Sequence, residues 1–189
     1  MDDLTLYAKQ HRVPIMQDEG LSFLLKQIQE NHCLSFLELG TAIARTSIEV
    51  ASLDKDMKVV TIERNPEMII QAKKNIQESG LENQIHLIEG DALEVEVNGT
   101  FDCIFIDAAK AQYKRFFEKY CPLLNENGII ISDNMNFHGL VEHPERTNNR
   151  NTRQLARKLH DYHEYLAMLT DYKTEFYDYG DGVALTRRK

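Results

Sequence analysis

The chain has 189 residues, with 30 acidic side chains against 22 basic ones and a formal net charge of −8. That length suits one domain, and 42% hydrophobic with 28% charged residues excludes a disordered or low-complexity chain. No apolar run approaches the roughly 20 residues of a membrane span. The acidic balance argues against coating nucleic acid with the whole surface, though not against a local basic site.

The opening MDDLTLYAKQHR is polar, with no apolar stretch behind it, so no signal peptide is expected. Residues 1–30 read as an N-terminal helical segment in which Leu21, Leu24, Leu25 and Ile28 mark a docking helix. LSFLEL (34–39) is a strand-like run ending at Gly40, followed by a short helix over 44–53. KVVTIE (58–63) is β-branched and leads through Asn65-Pro66 into a helix with Ile69, Ala72, Ile76 and Gln77 on one face, closed by Gly80. Strands are expected at 84–91 and 101–107, then a helix over 110–120 that stops before Pro122, then a strand at 127–134. A long helix follows over 150–169, where Leu155, Leu159, Tyr162, Leu166 and Leu169 form one apolar stripe. Strands at 172–178 and 183–188 flank Gly180-Asp181-Gly182, a hairpin signal. Cys33, Cys103 and Cys121 are odd in number and lack metal-ligand spacing, which suits reduced thiols in a cytoplasmic protein.

Five strand–helix alternations predict an α/β, Rossmann-like domain over 1–189. Its sheet is parallel with right-handed crossovers, helices cover both faces, and the terminal hairpin brings it to seven strands with one antiparallel. In such sheets ligands bind beyond the carboxyl ends of the strands. That rule selects Glu38 and Gly40, Glu63, Gly90 and Asp91, Asp107, and Asp133 with Asn134. Any one of these acids reads as a helix cap. Five on one rim repel one another unless a cation, ribose hydroxyls or amines lie among them.

The first turn, Gly40-Thr41-Ala42-Ile43-Ala44-Arg45, has Ala42 and Arg45 where a dinucleotide fingerprint needs glycine, which disfavours an NAD-dependent dehydrogenase. Glu63 ends the second strand, where a carboxylate can accept ribose hydroxyls. An adenosine cofactor without phosphates fits, and S-adenosylmethionine is the obvious one. A non-enzymatic nucleotide-binding module is the alternative from a different class.

FLELGTAIARTS, VVTIER, LIEGDALE, FIDAAKAQY and IISDN, in that order, resemble the cation-dependent O-methyltransferases of the catechol and caffeoyl-CoA type, nearest to the bacterial branch that methylates 5-hydroxyuridine in tRNA. The likeness runs from Val13-Pro14-Ile15 to YGDGVAL and implies a class I methyltransferase fold. It implies that Met16, Glu38, Gly40 and Thr46 line the methionine end of S-adenosylmethionine, that Glu63 holds the ribose, and that Asp91 with Ala92 meets the adenine edge. It also implies a cation site of Asp107, Asp133 and Asn134, with Asp107 between cofactor and metal, and Lys110 as general base. A homodimer is within the family's range. The chain departs from the family at Ala44, where glycine is usual, and in its short segment ahead of Val13.

By chemistry alone, oxygen ligands without Cys or His suit Mg²⁺ or Mn²⁺, while Asp133-Asn134 reads equally as a turn and Lys110 as a solvent-facing helix residue. A cation bound to the acceptor oxygen lowers its pKa and aims it. Catechols and the O4/O5 edge of 5-hydroxyuridine both offer the two adjacent oxygens this needs.

Residues 141–160 hold five basic residues against two acidic ones. Arg146, Arg150, Arg153 and Arg157 recur at helical spacing, opposite the leucine stripe. This is either a solvated face or a phosphate-gripping stripe. The stripe favours tRNA as partner over a small phenolic acceptor. His160 and His163 are expected on a solvated helix face, His138 in a loop after the metal ligands, and Tyr113 in a packing role.

Overall fold

In the computed structural model, which describes residues 3–189, the β-branched runs assemble into one seven-stranded sheet. Its strands are β1 (Ser35–Leu39), β2 (Lys58–Glu63), β3 (Ile85–Glu89), β4 (Phe101–Ile106), β5 (Leu124–Ser132), β6 (Tyr172–Tyr177) and β7 (Val183–Arg188). The order is β3-β2-β1-β4-β5-β7-β6, with β1 to β5 mutually parallel and β7 antiparallel to both neighbours. This is the expected architecture, one antiparallel strand included.

Side chains alternate across the sheet. Phe36, Cys103, Phe105, Ile129 and Ile131 face one layer, and Leu37, Leu39, Ile104, Ile106 and Ile130 face the other. The first layer is covered by α2 (Asp18–Glu30), α3 (Arg45–Ala51) and α4 (Pro66–Ser79), through Leu24, Ile28, Val50, Ala72 and Ile76. The second is covered by α5 (Tyr113–Tyr120) and α6 (Arg150–Met168), through Phe117, Tyr120, Leu159, Tyr162 and Leu166. Local signals mark the helix ends. Asn65 Oδ1 accepts the Glu67 and Met68 amides, and Gly80 closes α4 in the left-handed region at φ 70°. Asn149 Oδ1 caps α6 by accepting the Asn151 and Thr152 amides.

Several expectations are corrected. The N-terminal segment holds two helices, α1 (Asp3–His11) and α2, where one docking helix was expected; its residues 1 and 2 lie outside the described residues. The β3–β4 connection carries no helix, so the strand–helix alternation breaks there. Asp91 Oδ1 caps the Leu93 amide instead, and Val95 and Val97 pack directly on the second layer. The helix expected over 110–120 begins as a 3₁₀ turn at 110–112, and β5 starts three residues earlier than read, at Leu124. No helix among the described residues is long and apolar enough to cross a membrane. Cys33 and Cys103 are buried, Cys121 is partly buried, and all three are free thiols.

Candidate active site

The parallel register aligns the ends of five strands on one rim: Leu39 pairs with Ile62 and Ile106, Glu63 with Glu89, and Ile106 with Ser132. Beyond that rim lies a cavity of about 620 Å³, within the range of small-ligand pockets. Gly40, Thr46, Glu63, Asp91, Ala92, Asp107, Lys110, Asn134 and Met16 all line it, so the structure brings most of the expected site residues into one space.

The first loop is shaped by close backbone approach. Gly40 has φ 101°, and a Cβ there would lie 2.3 Å from the Asp107 carbonyl oxygen, so any side chain would collide with the end of β4. The Gly40 and Thr41 amides both donate to the Ile62 carbonyl, at 3.0 and 3.2 Å. Ala42 and Ala44 then take left-handed φ values of 47° and 66°. Glu63 braces this loop: its Oε2 accepts the Ala42 amide (2.9 Å), and its Oε1 accepts the Arg64 and Asn65 amides (2.9 and 2.8 Å). A carboxylate has about four lone-pair directions, so one on Oε2 is left for a ligand hydroxyl. At the far end, the Leu93 amide and the Arg64 guanidinium, 2.8 Å away, hold the Asp91 carboxyl below its ordinary range.

Glu38 differs from its expected role. It is 1% exposed and lies in the floor beneath the cavity, where Ser47 and Thr61 both donate to Oε2, Thr61 at 2.6 Å. Thr61 in turn shares a 2.6 Å hydrogen bond with Thr41. Glu38 therefore reaches the cavity wall through hydroxyls. Burial lifts its carboxyl to about 7.

The opposite wall holds Asp107, with Asp133 buried beside it and off the cavity lining. The Asp107 amide donates to the Leu39 carbonyl (3.0 Å) and the Asp133 amide to the Ile106 carbonyl (3.1 Å), which fixes both residues at adjacent strand ends. Burial raises both carboxyls above the carboxylate range; Asp133 raises Asp107 further, and Lys110 opposes the shift on each. Asn134 takes φ 60°, and its Nδ2 donates to Asp133 Oδ2 at 2.6 Å. Lys110 is half-buried in the 3₁₀ turn after Asp107. Behind this wall, buried Asp181 accepts the His138 amide (2.5 Å), and His163 Nε2–H donates to the Met135 carbonyl (2.8 Å). His163 is thus built into the wall, contrary to the solvated face expected for it; its ring stacks on Phe176. His160 does lie exposed, beside Glu164.

Sequence reading missed the outer wall. His11, Arg12, Val13 and Ile15 line the cavity because α1 docks on the first loop: Ala8 and Val13 cluster with Ile43, supported by Leu4, Tyr7, Ile15, Ala42 and Met68. Arg45, read only as a missing glycine, fastens this wall. Its side chain is 7% exposed and donates to the Met16 carbonyl (2.9 Å) and to Asp18 (2.5 Å). An arginine able to reach two segments was the available signal, but its target lies 27 and 29 residues away.

The arginine stripe is interrupted. Arg150, Arg153 and Arg157 lie on α6, but Arg146 ends a 3₁₀ turn and is separated from the helix by extended Thr147 (φ −121°, ψ 136°). All four are exposed, and none forms an ion pair with another described residue.

This sheet order, with a cavity at the switch between β1 and β4, is that of class I methyltransferases. A family model described as O-methyltransferase matches residues 2–189, and the chain belongs to that family. A catechol O-methyltransferase of Niastella koreensis is 34% identical over 136 residues, covering 68% of this chain and 61% of that protein, so the chain spans less than two thirds of that relative. A candidate caffeoyl-CoA O-methyltransferase structure from Staphylococcus aureus superposes with TM-score 0.94 at 42% identity, covering 98% of this chain and 90% of the other. An O-methyltransferase of Bacillus cereus, solved in complex with SAH, shares the fold at TM-score 0.83 and 24% identity, over 99% of this chain and 89% of its own.

Proposed function

We propose that this protein is an S-adenosylmethionine- and divalent-cation-dependent O-methyltransferase whose acceptor is the wobble 5-hydroxyuridine of tRNA. The observation that carries the chemistry is half-buried Asp107 with Lys110 and Asn134 on the cavity wall, buried Asp133 beside them, across one cavity from Glu63 and Asp91.

The donor set fits a hard cation. Two adjacent carboxylates are raised by desolvation and, at Asp107, by the charge of Asp133, and the Asn134 amide adds a neutral oxygen. Asp107, Asp133 and Asn134 hold the cation in this reading, and it supplies the Lewis acidity that makes an acceptor hydroxyl easier to ionise. The cofactor's sulfonium supplies the methyl group. Glu63, pre-oriented by three amides, takes the ribose, and the Asp91 and Ala92 segment meets the adenine. The N-terminal wall and the first loop exclude water and hold the acceptor oxygen in line with the methyl carbon. Lys110 Nζ accepts the acceptor's proton, a step worth roughly 10²–10⁴-fold in rate.

Arg150, Arg153 and Arg157, exposed and without an ion pair among the described residues, with Arg146 nearby, support a phosphate-bearing acceptor. A small catechol-like phenol is the second reading, favoured by the likeness to a catechol O-methyltransferase. The test is methylation by the purified protein with labelled S-adenosylmethionine, Mg²⁺ and tRNA lacking the modification, followed by mass analysis of nucleosides. The expected result is EDTA-sensitive conversion of 5-hydroxyuridine to 5-methoxyuridine, reduced at least about 100-fold by Lys110→Met. Transfer to a catechol but not to tRNA would select the second reading. Undiminished turnover by Lys110→Met would exclude the base role.

A further inference from the structure

Tyr113 opens α5, three residues after Lys110. It is 1% exposed, and its hydroxyl has no hydrogen-bond partner among the described residues. A buried hydroxyl left so costs about 1–3 kcal/mol, and phenylalanine would fill the same space without that cost. The neighbouring buried tyrosines are satisfied: Tyr120 Oη–H donates to the Ala92 carbonyl at 2.6 Å, and Tyr162 Oη lies 2.9 Å from Ser132 Oγ. Nor can Tyr113 swing outward. Its ring stands edge-on to Tyr162, with centroids 5.6 Å apart at 82°, inside the second core layer. The ring's partner Tyr162 reaches Ser132, the residue before Asp133, so the phenol lies in the core behind the ends of β4 and β5; after burial, Asp107 and Asp133 are the charges that raise it most.

We propose that Tyr113 is a positioning residue of the cation site, its phenolic O–H donating to a water that would accompany a cation held by Asp107, Asp133 and Asn134. The inference rests on the cation-dependent reading above. Neither carboxylate nor any other described group accepts the hydroxyl, which leaves a bound water as its acceptor. Small hard cations keep several waters when carboxylates bind them. Outer-shell hydrogen bonds of this kind orient the inner ligands, and their loss typically weakens metal affinity 10–100-fold.

Tyr113→Phe removes the donor and keeps the ring. Mn²⁺ binding to the cofactor-free protein is measured by calorimetry, alongside the melting temperature without cation. Tyr162→Phe is the matched control, since it deletes a neighbouring buried hydroxyl that already has a partner. The expected result is Mn²⁺ affinity reduced about 10-fold in Tyr113→Phe, with a melting temperature at or above wild type, and wild-type Mn²⁺ affinity in Tyr162→Phe. Unchanged affinity in Tyr113→Phe overturns the proposal and leaves the cation reading intact. So does equal weakening in both variants, or weakening accompanied by a lowered melting temperature, since either marks a packing role. No Mn²⁺ binding by the wild type overturns both readings.

Discussion

Glu38 shows how one buried side chain couples stability to pH. Its carboxyl rises to about 7 because burial disfavours the charged form more than Ser47 and Thr61 favour it. In the unfolded chain the group titrates at its ordinary value, so between pH 4.5 and 7 the folded state binds more protons. The contribution is therefore fully present below about pH 4.5 and is lost as pH rises through 7. Glu38→Gln keeps an oxygen for the two hydroxyls and removes the titration. Denaturant unfolding should show the variant gaining on wild type from pH 4.5 to 7, by about 3 kcal/mol, with no further change above. A constant difference across that range would sink this account. Ala44 carries the opposite kind of constraint. Its left-handed φ of 66° costs a non-glycine residue roughly 1–2 kcal/mol, offset in part by a fully buried methyl in the first core layer. Residues such as Glu63 and Asp107 are legible in the sequence because each ends a strand-like run. Arg12, Arg45 and Met68 are not, since their roles depend on where the N-terminal segment docks.

At the scale of elements, α6 divides its labour by face. Ala156, Leu159, Tyr162 and Leu166 are buried, while Arg150, Arg153 and Arg157 are exposed and form no ion pair with another described residue. Replacing the three arginines with alanine removes no packing, so stability should stay within about 0.5 kcal/mol of wild type. Binding of tRNA should weaken, and the slope of log affinity against log salt should fall by roughly 2–3, as expected when up to three phosphate contacts are lost. Methylation of a small phenol should be unaffected. An unchanged salt slope would make this a solvated face. Helix and strand existence were readable from periodicity and from caps such as Asn65, Gly80 and Asn149. Read residue by residue, the sequence places no helix between the third and fourth strands, and only the count of five strand–helix alternations overreached there. Thr147 hid the break in the arginine stripe, since spacing alone assumes a continuous helix.

Across the whole molecule, the cavity exists only because five strands end in register and α1 closes over the first loop. A ligand bound by this assembled state stabilises it by mass action: at 100 times its Kd the gain is about 2.7 kcal/mol, or roughly 5–10 °C in Tm for a domain of this size. S-adenosylhomocysteine should produce that shift in a thermal melt and NAD should not. The reverse result would overturn the cofactor assignment.

The alternation of apolar runs with helical periods was enough, by itself, to specify a parallel sheet closed by a hairpin and the acidic rim at its strand ends. Those features follow from local chemistry: β-branched residues seek sheets, caps end helices, and parallel strands need crossovers. Only the tertiary structure decided that Glu38 works from beneath the floor, that Arg45 ties the first loop to Met16 and Asp18, and that the Tyr113 hydroxyl is buried without a partner among the described residues. Each of these depends on contacts between residues distant in sequence. Burial and hydrogen-bond partnership are properties of the packed interior, and no spacing along the chain encodes them.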